Sequence, residues 1–143
     1  MSRRSGLHDC RGQTLVEFAM CSVLLLALVF AVVEFGRMML VYTTMGNAAR
    51  IGTRYAIVHG SDNPPTTSVD TVVKDFLKAG TVSTSSATVT VGYPGKPDGT
   101  SANCTDPGCQ VTVTVSYPYD PLLTYFSLGS ITLSSSSEGV ITW

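Results

Sequence analysis

Charge is scarce in this sequence. Only 13% of its 143 residues are Asp, Glu, Lys or Arg, and the net charge is −1. Nothing there builds the basic surface that nucleic acid requires. Histidine is scarcer still: His8 and His59 stand far apart. No HExxH pair, nucleophile motif or glycine-rich phosphate loop accompanies them. Gly36, Gly46 and Gly52 do not form a dinucleotide fingerprint. The residues therefore offer no catalytic constellation, and no ligand set for a metal or cofactor. Proline is absent from Met1 to Asn63, so nothing there interrupts a helix. A clean small-x-small cleavage site is also missing after the apolar core, which argues against a conventional secretory signal.

What the chain does have is the run from Phe18 to Val33, sixteen residues with no charge and one hydroxyl, Ser22. A helix rises about 1.5 Å per residue, so roughly 20 apolar residues cross a bilayer core. Leu15 and Val16 before Glu17, and Phe35 to Tyr42 beyond Glu34, supply the missing length. The span is placed at about 15–36, behind a leader over 1–12. Arg3, Arg4 and Arg11, against the single acid Asp9, favour a cytoplasmic N-terminus and a C-terminal domain outside.

Beyond Glu34 the pattern becomes one-sided. Met38, Val41, Tyr42, Met45, Ala48, Ala49, Gly52, Tyr55 and Ala56 recur at helical spacing. Arg37, Thr43, Thr44, Asn47, Arg50 and Arg54 fill much of the other face. One helix is predicted over 13–58, about 70 Å long at helical rise. Its first half suits lipid, and its second half offers a stripe to cover a sheet. Small residues at Gly46, Ala48, Ala49 and Gly52 permit close approach of another backbone. A remaining domain over 59–143 is predicted to hold a short helix over 69–79, with Val69, Val72, Val73, Phe76 and Leu77 on one face. Period-two alternation in Ala87–Val91 and Val111–Val115 predicts strands over 87–93 and 110–117. Further strands are expected over 130–134 and 139–143. Ser134–Ser137 between them reads as an exposed turn or strand face, and Pro118, Pro121 and Leu122-Leu123 as a connection crossing the sheet edge. The fold class is α+β: a long helix on a small antiparallel sheet of three to four strands.

Cys104 and Cys109 flank the turn sequence Asp106-Pro107-Gly108. In an oxidising compartment they would close a small disulfide loop; in a reducing one they remain thiols. A metal site would need more ligands than the neighbourhood supplies. Asn103-Cys104-Thr105 also matches a glycosylation sequon, a pattern frequent by chance.

The distinctive element is the junction Arg11-Gly12-Gln13-Thr14-Leu15-Val16-Glu17-Phe18. A basic tail ends in glycine, and a glutamate stands five residues later beside an aromatic, at the mouth of the apolar run. By itself Gly12 could be a helix-start glycine, and Glu17 an interfacial carboxylate reaching water. Glu34 and Arg37 fit an i, i+3 ion pair, and Arg50 and Arg54 a solvated face. Taken together the junction resembles the class III signal of prepilins. With Glu34-Phe35-Gly36-Arg37 and Asn47-Ala48-Ala49-Arg50, the stretch from about Arg11 to Ala56 resembles the TadE-like family of pseudopilins of tight-adherence (Tad) pilus systems.

That resemblance implies a pilin-like fold and a non-enzymatic role in assembling a thin, Flp-type pilus for surface adherence. It implies processing between Gly12 and Gln13 by a prepilin peptidase. Glu17 and Phe18 become assembly residues, with Glu17 meeting a neighbour's N-terminal amine. Glu34, Arg37, Asn47 and Arg50 become a juxtamembrane motif. The implied surroundings are the bacterial inner membrane, other pseudopilins, the major Flp-type pilin and a platform protein, with no nucleic acid and no cofactor. The competing expectation is a membrane-tethered adhesion or ligand-binding domain that never polymerises.

Overall fold

The structure is a computed structural model and describes residues 11–59, 66–80, 82–99, 103–121 and 129–142. Helix α1 spans Arg11–His59 and helix α2 Thr66–Ala79. Strands β1 (Thr88–Gly95), β2 (Gln110–Tyr119) and β3 (Ile131–Val140) form one antiparallel sheet in that order. The fold is α+β. The chain divides into two compact units, one ending at Gly36 and one beginning at Arg37.

In the first unit the large apolar side chains of α1 are uncovered among the described residues. Leu15, Phe18, Leu24, Phe30 and Phe35 are all more than half exposed. This helix is long and apolar enough to cross a membrane, and none of its most apolar stretch is buried. It is a candidate membrane anchor.

The second unit holds the core. Met45, Ala48, Ala49 and Ala56 of α1 join Val69, Val73 and Leu77 of α2 and Val111, Val113 and Val115 of β2, all fully buried. The small residues of α1 explain how closely the layers approach. A methyl group on Gly52 would lie 2.5 Å from Val73 Cγ2 and 3.2 Å from Val113 Cγ1. Gly46 faces the Ser135 hydroxyl, and Gly139 lies under Ile57 and Thr53.

Three expectations are corrected. First, there is no fourth strand among the described residues: β3 runs unbroken through the serine stretch, paired with β2 from Tyr119↔Ile131 to Gln110↔Val140. Ser135 and Ser137 point inward because they pair with the inward-facing Val115 and Val113 of β2. Ser134 and Ser136 are exposed on the other face. Ile141 lies beyond the strand, yet it is buried and exchanges backbone hydrogen bonds with the cysteine loop: Gly108 N donates to Ile141 O and Ile141 N to Cys109 O, both at 2.8 Å. Second, Pro118 is inside β2. The ladder with β1 stops at Thr88↔Ser116, so Pro118 has a strand on one side only, and its missing N–H leaves no ladder bond unmade. Leu122 and Leu123 lie outside the described residues. Third, Tyr42 is 48% exposed, whereas Thr53 is buried. Thr53 Oγ1 has two carbonyls to donate to, Ala49 O at 2.9 Å and Ser137 O at 3.1 Å, and so ties α1 to β3.

The β1–β2 register slips by one residue between Gly92 and Gly95, where Tyr93 and Pro94 sit in a bulge. The Tyr93 hydroxyl is buried without a hydrogen-bond partner among the described residues. Burial pushes its pKa above the ordinary tyrosine value of 10.0. The neutral phenol is therefore favoured in the folded state. Its share of stability is intact below pH 10 and is lost as the pH climbs toward the raised value. Tyr93→Phe is expected to unfold at the same or a higher denaturant concentration at pH 7, with a gain of up to about 1 kcal/mol. It should also lose less stability than the wild type between pH 9 and about 11. Denaturant titrations of the detergent-solubilised chain at both pH values check this.

Candidate functional site

The residues singled out by sequence do not converge on one place. Gly12, Gln13, Glu17 and Phe18 lie on the exposed surface of α1, with nothing within 4 Å of a methyl group built at Gly12. Helical spacing puts Gln13, Glu17, Met20, Cys21 and Leu24 along one side. Glu17 is thus a carboxylate at the start of a ridge that is apolar from Met20 onward. Removed from water it is costly unless a cation meets it. Among the described residues Glu17 forms no ion pair, and the side chains of the leader's arginines lie outside that description.

Glu34 is half-buried at the end of the first unit. Arg37, the first residue of the second, holds its guanidinium 5.0 Å over the ring of buried Tyr119. The aromatic face attracts the cation, and the contact fastens the start of this helical segment to the end of β2. Sequence reasoning missed Tyr119, because a ring far along the chain leaves no local signal at Arg37. Thr53 was also missed, although it falls four residues after Ala49 and three before Ala56, on the buried side of α1.

Asn47 and Arg50 are exposed. With Tyr42, Thr43, Gly46 and Ser135 they line a groove of about 340 Å³ between α1 and β3. Thr43 and Thr44 turn their hydroxyls back onto α1 carbonyls, at 3.0 and 2.8 Å to Leu40 O, so they are occupied within the helix. Arg50 is the charged group left facing the groove.

Cys104 and Cys109 form a disulfide, with Cα atoms 5.9 Å apart. Cys109 is fully buried in the core cluster. Gly108 takes a φ of +93°, a conformation that favours glycine, as its N–H reaches Ile141. The bridge therefore anchors the β1–β2 loop against the residues that follow β3. Cys21 is a free, exposed cysteine on α1. Among the described residues no group of three or more His, Cys, Asp and Glu is placed to hold a metal.

One apolar helix continuing into a small α+β head defines a candidate single-span membrane protein. Residues 12–54 match the family model described as TadE-like protein, so this segment is TadE-like and relates the chain to Tad pili. The match opens at Gly12 and closes at Arg54. It takes in the glycine–glutamate junction, the apolar run and the Asn47–Arg50 motif. No curated protein and no solved structure matches the chain.

Proposed function

We propose that this chain is a non-enzymatic pseudopilin or minor pilin that takes part in assembling a Tad, Flp-type pilus for surface adherence. It sits in the bacterial inner membrane with its N-terminus in the cytoplasm and its α+β head outside. A prepilin peptidase cuts between Gly12 and Gln13, and the new amine of one subunit meets Glu17 of another. Its partners are other pseudopilins, the major pilin and a platform protein. The observation that carries this reading is a TadE-like segment that begins at Gly12 and places Glu17 on an uncovered apolar helix. An anchor alone has no use for that carboxylate; an assembling helix does.

Glu17→Leu is the test. The more apolar helix should insert as well as the wild type, so the membrane-bound amount stays the same while surface pili fall at least tenfold. Quantitative immunoblotting of membranes, paired with pilus counts by electron microscopy, reads both. Unchanged pili with Glu17→Leu would return the protein to a plain tether, its head an adhesion or ligand-binding domain. Mass spectrometry of the mature chain should find Gln13 as its first residue.

A further inference from the structure

Two exposed surfaces of the second unit carry complementary side chains in the same order. On α1, Arg50, Arg54 and Val58 follow one another at four-residue steps, which is about 6 Å along a helix. Both arginines are exposed, Val58 is 54% exposed, and neither arginine forms an ion pair among the described residues. On β3, Ser136, Glu138 and Val140 follow one another at two-residue steps, close to 7 Å along a strand. All three are exposed, Val140 to 42%, and Glu138 likewise forms no ion pair among the described residues. Beside them Thr114 and Thr112 of β2 stand in register with Ser136 and Glu138, giving a shallow floor of small side chains.

We propose that these surfaces are the two halves of one interface between copies of this chain. The α1 of one copy lies along β3 of the next, with Arg54 against Glu138, Val58 on Val140 and Arg50 over the Ser136 hydroxyl. The inference rests on the assembly reading above and names the head surfaces that take part in it. A second copy is the occupant because the matching charge, apolar end and repeat all lie on this same chain. Within one copy the halves cannot meet. The inner face of β3 receives α1 through Ser137 and Gly139, while Ser136, Glu138 and Val140 alternate onto the opposite face. The contact is therefore heterologous, and each copy offers a free half to the next, as growth of a filament or ring requires. A single exposed ion pair is weak, so Arg54 and Glu138 set the register of the contact more than its strength.

Thiol cross-linking of the full-length chain in membranes tests this, in a background carrying Cys10→Ser and Cys21→Ser. Val58→Cys combined with Val140→Cys is expected to give a ladder of dimers, trimers and longer species on oxidation with copper phenanthroline and air. Either cysteine alone should leave monomer. Arg50→Cys combined with Ser136→Cys is a second pair for the same contact. In the laddering background, Arg54→Glu or Glu138→Arg should cut the cross-linked fraction at least tenfold, and the two together should restore at least half of it. Absence of a ladder with both cysteine pairs, equal cross-linking by a single cysteine, or indifference to charge reversal overturns the proposal. The ladder is read in membranes and needs no pilus. Loss of pili in Glu17→Leu with the ladder intact, or the reverse, separates this contact from the pilus reading.

Discussion

Gly52→Leu is expected to abolish cooperative folding of the α+β head. Position 52 is where α1 packs against both α2 and β2. The first added carbon would already stand 2.5 Å from Val73 Cγ2, 3.2 Å from Val113 Cγ1 and 3.5 Å from Val69 Cγ1. Val73 and Val113 are β-branched and fully buried, so neither has an empty direction to swing into. Gly52→Ala sets two terms against each other. The helix gains about 1 kcal/mol from losing a glycine. Overpacking costs about 1–3 kcal/mol, so a net loss of up to about 2 kcal/mol is expected. Leucine adds three more carbons to a site that cannot hold one, and the loss should exceed about 3 kcal/mol. Gly36→Ala is the control: nothing lies within 4 Å of its added methyl, and the unfolding midpoint of the head should not move. Denaturant unfolding followed by near-ultraviolet circular dichroism ranks the three. If Gly52→Leu unfolds with the wild-type midpoint, the close packing at this crossing is not what holds the head together. Val73→Ala added to Gly52→Ala should recover part of the loss, because it empties the colliding position.

Removing the disulfide should produce the second large effect. Cys104→Ala with Cys109→Ala opens a short loop, for which the chain-entropy argument gives roughly 2 kcal/mol. It also takes a fully buried sulfur out of the core beside Val111 and Ile141, so a total of about 3 kcal/mol is expected. The damage should spread beyond the loop, because Gly108 and Cys109 hold Ile141 by two backbone hydrogen bonds. Amide exchange at Ile141 should accelerate together with that of Gly108. Reducing the wild type with dithiothreitol should reproduce most of the loss. A midpoint that moves by less than about 0.5 kcal/mol in both cases would mean the loop is held by its hydrogen bonds alone.

Much of the fold was legible because its periods are clean. The apolar run, the stripe from Met45 to Ala56, and the alternating valines of β1 and β2 each repeat with one period. The serine stretch was not legible for the opposite reason. Four identical residues carry no alternation, and only pairing with Val113 and Val115 decides that Ser137 and Ser135 face inward. The paired geometry also absorbed the segment read as a fourth strand. Tyr42 followed the helical period but borders the open groove beside Ser135 and stays half exposed, while Thr53 broke the apolar pattern and is buried because a β3 carbonyl accepts its hydrogen. At the candidate site, sequence singled out Gly12, Glu17, Asn47 and Arg50 from their order along the helix. The fold leaves all four on the surface. Tyr119 under Arg37 was illegible because the contact is made by topology and not by spacing.

The slip between Gly92 and Gly95 has a consequence for crowding. An edge strand is a template for runaway aggregation when many copies are held close together. In β1 the bulge interrupts the regular ladder, and Pro94 carries no N–H to offer a further strand. Straightening that rim, for instance by deleting Pro94 while keeping Tyr93 on the core, is expected to make the head prone to amyloid-like growth.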